Sequence, residues 1–215
     1  MKVFIILMII TSTLFADSFS TKYDVKIGMF GKVGIANLHL ETDGQKYEMR
    51  VKATLIGTAA SLTGNRVETY ISKGHITQGK YIPDTFTKIK QTTRQERIQV
   101  YTFDHKNKSV RLVNKHSKWI SSTKFDTLAF KIIKQDLKET SQEESKLPEY
   151  KAQDVLSSYL NTVKTCNAQN KNYDLVAIGA HNDDTDVTLS FLEGLDRQAV
   201  ASSFQKILVI FISYK

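Results

Sequence analysis

From Tyr23 to Trp119 the chain alternates apolar and polar side chains with a period of two. In Tyr47-Glu-Met-Arg-Val-Lys-Ala-Thr-Leu55 the odd positions are apolar or aromatic, and Glu48, Arg50, Lys52 and Thr54 lie between them. A strand sends successive side chains to opposite faces, so this is the pattern of a half-buried strand with one wet face. Just upstream, Leu38 to Thr42 is joined to it through Asp43-Gly44, a pair suited to a tight hairpin turn. Further strands are expected over Arg66 to Ser72, ended by Lys73-Gly74-His75, and over Thr77 to Ile82, stopped by Pro83-Asp84. Phe86 to Thr93, Arg97 to Phe103 and Val110 to Lys115 follow, with a polar turn at Asp104 to Lys108. Strands at roughly ten-residue intervals make an antiparallel meander. One-sided alternation predicts a mainly β fold, a strongly curved antiparallel sheet or open β-barrel, with one face on a core or cavity.

The pattern changes after Trp119. Phe125 to Leu137 reads either way, because Leu128, Ile132, Ile133 and Leu137 also fit a helical stripe. Lys138 to Lys146 has no apolar residue and reads as a charged linker. Ala152 to Thr165 places Val155, Leu156, Tyr159, Leu160 and Val163 on one face at helical spacing, predicting a helix that covers one side or mouth of the sheet. With the preceding stretch, that makes one or two covering helices. Strand patterns return over Tyr173 to Ala180, Asp186 to Leu192 and Lys206 to Tyr214. Ile207 to Ile212 reads as a strand buried on both faces, so it either pairs with earlier strands or belongs to a shortened carboxyl end.

Export is expected from residues 1–16, where Lys2 precedes the apolar run Val3 to Ile10 and Leu14-Phe15-Ala16 offers a small-residue cleavage site before Asp17. The remaining chain, residues 17–215, is expected to form a single domain. Asp17 stands where a bacterial lipoprotein would carry its lipid-modified cysteine, which points to a soluble or at most peripherally attached protein of the periplasm of a Gram-negative bacterium. Cys166 is the only cysteine, so no intramolecular disulfide can form, and it reads as a small buried hydrophobe. Lys and Arg number 30 against 22 acids, a net +8 that falls to +7 without Lys2. Such an excess fits anionic lipid, lipopolysaccharide, acidic glycans or an envelope protein; export argues against nucleic acid.

The order of residues resembles the bacterial exported family known as domain of unknown function 3108, through Tyr23-x-Val-x-Ile27 with Gly28, Gly31 and Gly34, and through the Leu38 to Leu55 hairpin. Arg66 through Tyr70, Ser72-x-Gly74, Pro83-x-x-Phe86, Phe103-Asp104 and Gln153-Asp154-Val-Leu-Ser-Ser-Tyr159 carry the likeness further. The resemblance implies a curved antiparallel β architecture in the cell envelope and brings no catalytic residues. Family members continue through further strands past the region matching Phe204, which is where this chain departs from them.

No motif points to catalysis, a cofactor or a metal. Gly28, Gly31 and Gly34 have the wrong spacing for a dinucleotide loop and precede a strand, so they read as turn or bulge glycines. His181-Asn-Asp-Asp-Thr-Asp186 is rich in oxygen ligands, but Val187 stands where a calcium loop counted from Asn182 needs Gly; it reads as a hairpin tip. His39, His75, His105 and His116 are scattered, without zinc or nucleophile spacing. Two sets of residues carry a binding hypothesis. Tyr47, Met49, Val51 and Leu55 form an apolar inner face that either receives an amphiphilic ligand or fills a dry core. Lys88 and Lys90 share a strand face, with Arg94 and Arg97 following, and form either a solvated outer face or a salt-sensitive docking patch for anionic lipid or glycan. The chain therefore reads as a non-enzymatic envelope protein that binds an amphiphilic or anionic ligand, or as a structural or protein-interaction component with no small-molecule site.

Overall fold

The computed structural model describes residues 16–27, 31–165, 172–179 and 185–190. Residues 1–15, where a leader is expected, Gly28, Cys166, residues 180–184 of the expected hairpin tip and the expected strand 206–214 lie outside the described residues. Eight strands form one antiparallel sheet in strict chain order: β1 (Ala16–Ile27), β2 (Gly31–Asp43), β3 (Lys46–Leu55), β4 (Val67–Thr77), β5 (Lys80–Gln91), β6 (Gln95–Asp104), β7 (Ser109–Asp126) and β8 (Lys131–Lys146). β1 and β8 are its two edges, so the sheet is curved without closing into a barrel. A short helix α1 (Gly57–Leu62) links β3 to β4, and α2 (Val155–Thr165) packs on β4 and β5. A separate hairpin of β9 (Asn172–Ala177) and β10 (Thr185–Ser190) follows α2.

Alternation sets the two faces. Leu38 and Leu40 of β2, Met49 and Val51 of β3, Phe86 of β5, Tyr101 and Phe103 of β6, and Val110 and Leu112 of β7 point inward. Leu156, Tyr159 and Leu160 of α2 close over them, and Ile178 fills the same core. The segment after β9 is docked by backbone pairing: Val155 N donates to Ile178 O at 3.0 Å and Ile178 N to Gln153 O at 2.9 Å.

Two expected strand boundaries are corrected. β4 runs straight through Lys73-Gly74-His75, and β5 runs through Pro83-Asp84. Gly74 and Pro83 face each other across a bulge, and a Cβ on Gly74 would lie 2.0 Å from the Ile82 carbonyl oxygen. The glycine therefore permits a close backbone approach inside the sheet. The true turn is Gln78-Gly79, where both residues have positive φ (51° and 73°), the geometry of a two-residue primed turn. Phe125 to Leu137 and Lys138 to Lys146 are also corrected, since both belong to the long β7–β8 hairpin and neither is a helix or a linker.

Candidate functional site

Strand pairing lays the inner face out in rows across the sheet. Nearest α2 the row is apolar: Met49, Ser72, Phe86, Tyr101 and Leu112 are register partners in turn. The next row, Val51, Tyr70, Lys88, Gln99 and Asn114, is mixed. The third, Glu68, Lys90, Arg97, His116 and Ser141, is charged and polar. Past the reach of α2, Lys90, Arg97, His116 and Ser141 of this row line an open cleft of about 580 Å³, together with Thr63, Arg66, Thr92, Gln95, Asn114 and Glu143. Its floor is the sheet, and one wall is the junction of the α1–β4 loop with the β5–β6 turn. That junction is pinned where Thr93 N and Thr93 Oγ1 each donate to the Gly64 carbonyl at 2.9 Å.

Arg66, Lys90 and Arg97 bring three permanent cations to the cleft, with His116 beside them and Glu143 opposing them. Arg66 pairs with Glu68, which also accepts a hydrogen bond from the Tyr70 hydroxyl. Burial alone would raise the Glu68 carboxyl, but the Tyr70 hydroxyl, the Arg66 guanidinium and the nearby Lys90 ammonium hold it below the usual range. Arg97 Nε donates to Asn114 Oδ1 at 3.0 Å, which fixes the guanidinium over the cleft floor. Among the described residues neither Lys90 nor Arg97 makes an ion pair, although they stand directly opposite each other on adjacent strands. Like charges so placed destabilise a sheet.

The expected site residues divide between core and cleft. Tyr47, Met49 and Val51 are buried in the core under α2, and Leu55 is half-buried at the far end of β3. The apolar inner face is thus filled by the chain itself. Lys88 and Lys90 do share a face, as expected, but it is the concave inner face; the solvated outer face is excluded. Lys88 is 2% exposed between Tyr70 and Gln99, and Lys90 reaches the cleft. Arg94 lies exposed in the β5–β6 turn. Arg66, Asn114, His116, Ser141 and Glu143 were not singled out together by sequence, because the strands that unite them are up to 75 positions apart between Arg66 and Ser141.

A second polar cluster lies under the mouth of α2. Asp154 is fully buried as the cap of that helix: its Oδ1 accepts from Leu156 N at 2.7 Å and Ser157 N at 3.0 Å. Ser157 Oγ accepts from Asp154 N at 3.1 Å, completing a reciprocal capping arrangement. Ser72 Oγ donates to Asp154 Oδ2 at 2.7 Å and lies 2.9 Å from the Tyr47 hydroxyl, which is left to donate to it. Burial pushes the Asp154 carboxyl up to about 6 against these hydrogen bonds, and the Tyr47 hydroxyl is raised by burial and by Asp154. This chain fastens α2 to β3 and β4.

The histidines serve separate local contacts. Ser20 Oγ lies 2.6 Å from His39 Nδ1, and His39 Nε2 lies 2.7 Å from Glu41 Oε1. The connectivity is that of a nucleophile, base and orienting acid. It sits on the outer face of the β1–β2 hairpin, opposite the cleft, and follows from ordinary cross-strand pairing of Ser20 with His39. An open sheet face excludes no water from such a group. His105 Nε2 donates to the Pro83 carbonyl at 2.6 Å and its Nδ1 accepts from the Tyr150 hydroxyl at 2.7 Å, tying the approach to α2 onto β5. Among the described residues no group of three or more His, Cys, Asp or Glu is placed to hold a metal ion. No helix among them is long and apolar enough to cross a membrane.

No protein-family model matches the chain, and no curated protein or solved structure matches it.

Proposed function

We propose that this is an exported, non-enzymatic envelope protein that binds an anionic ligand, a phosphorylated or acidic glycan or lipid headgroup, in the cleft of Arg66, Lys90 and Arg97. The observation that carries the reading is the pairing of Lys90 with Arg97 on the concave face without an acid between them. Such a pair costs stability when empty, and an anion bridging both cations would relieve it. The cleft volume lies within the usual range for a small-molecule site. Asn114, Ser141 and Gln95 supply neutral hydrogen-bonding groups that suit the hydroxyls of a sugar. Because the apolar inner face is packed by α2 and Ile178, the proposed ligand is held by its headgroup and not by an acyl chain under the helix. The leader and the resemblance to the exported family support placement in the periplasm.

Calorimetric titration with glucose 1,6-bisphosphate tests the reading. Saturable binding near one site per chain is expected, weakening as salt rises. Lys90→Ala with Arg97→Ala is expected to weaken it by more than about tenfold, since charge-assisted hydrogen bonds contribute roughly 1.5–3 kcal/mol each. Binding unaffected by the double variant would place the anion elsewhere.

A further inference from the structure

The β7–β8 hairpin outruns the sheet. β6 stops pairing at Gln95 opposite Lys118, and Trp119 N still donates to the Arg94 carbonyl, so from Ile120 to Leu137 the two long strands have only each other. At ~3.4 Å per residue, the roughly six residues from Ile120 to Phe125 carry the tip about 20 Å beyond its last neighbour. The tip is apolar where solvent reaches it most. Leu128 is 99% exposed, Phe130 85%, Ile132 68% and Phe125 51%, with Ile133 and Leu137 behind them. Pairing puts Phe125 and Ile132 on one face, with Leu128 and Phe130 in the turn, while the other face carries Ile133 beside Lys124, Asp126 and Lys131.

Two further observations select the occupant. Lys124, Lys131 and Lys134 flank the apolar tip. The nearest acid, Asp126, is engaged in the turn, accepting from Leu128 N and Ala129 N at 3.0 Å; the next, Asp136, accepts from Ser121 Oγ at 2.7 Å. Phe130 holds φ at 50°, a left-handed conformation that a bulky side chain pays for and glycine would not. Retaining an exposed phenyl ring there is the opposite of what solubility favours.

We propose that the β7–β8 hairpin tip inserts into the surface of an anionic bilayer, with Phe125, Leu128, Phe130 and Ile132 at the depth of the headgroup–acyl boundary and the lysines against lipid phosphates. The surface is separate from the cleft, and its test does not depend on the cleft binding anything. Phe130→Trp supplies the readout, using the full chain with vesicles of phosphatidylglycerol and phosphatidylethanolamine or of phosphatidylcholine alone. A blue shift of the added tryptophan and co-sedimentation with the anionic vesicles are expected, falling with salt. Leu128→Asp with Phe130→Asp should weaken sedimentation more than about tenfold, and Lys131→Glu with Lys134→Glu by a similar factor. The proposal is overturned if the tip variants bind vesicles as the parent does, if the tryptophan shows no shift, or if the tip changes only convert an oligomer into a monomer.

Discussion

Asp154 is a buried carboxyl whose three hydrogen bonds do not fully offset its desolvation, so its proton is held more tightly in the folded chain than in the unfolded one. The raised value, about 6 against 3.8, fixes the sign: the contribution to stability is complete below pH 3.8 and is lost as pH climbs through about 6. The loss amounts to as much as about 3 kcal/mol by pH 7.5. Asp154→Asn keeps the cap and carries no charge, so its stability relative to the parent should rise by about that amount between pH 4 and 7.5, measured by urea unfolding. Parallel pH curves for the two would contradict this. Gly179 is as constrained, with φ at 94° and a position where a Cβ would lie 2.1 Å from Phe86 Cε1. Gly179→Ala should lower the unfolding free energy by more than about 2 kcal/mol, through strain and overpacking together. Neither role is visible in the residue's local sequence, because Ser72 and Phe86 reach these positions from distant strands.

At the scale of elements, alternation exposed the strands, whereas the punctuation between them was harder to read. Gly74 and Pro83 look like breakers in sequence and are instead partners across a bulge, each tolerating what the other's backbone requires. Gln78-Gly79, the actual turn, lacks an Asn or Asp at its first position and so gives a weak signal. Gln78→Asn should therefore stabilise the chain by up to about 1 kcal/mol, seen as a higher melting temperature, because Asn tolerates positive φ better than Gln. The shared face of Lys88 and Lys90 was legible but its side was not: they have the parity of Phe86, which the structure puts on the inner face, whereas the residues alone also allow a solvated outer face. For Phe125 to Leu137, three- and four-residue spacing imitated a helix because a four-residue turn separates two short apolar groups. The helix α2 was readable throughout, and its packing predicts that Leu160→Ala costs roughly 2–5 kcal/mol in chemical unfolding.

For the whole molecule, the curved meander sorts chemistry along the strands. The end carrying α2 is apolar and filled, the middle is crossed by Lys88, Gln99 and Asn114, and the far end opens as the cleft. The projecting β7–β8 tip leaves the sheet from that same far end, as the strand directions require. One end of the molecule thus collects both cationic surfaces. Composition announced the basic excess, but its concentration in one cleft depends on register among β4, β5, β6, β7 and β8, which no local window contains. A melting curve taken with and without glucose 1,6-bisphosphate, on the parent and on Lys90→Ala with Arg97→Ala, is the most direct test of the cleft. The ligand, at about a hundred times its dissociation constant, should stabilise the parent by about 2.7 kcal/mol and the variant far less. A ligand shift equal in both would contradict an anion-binding cleft built on Lys90 and Arg97.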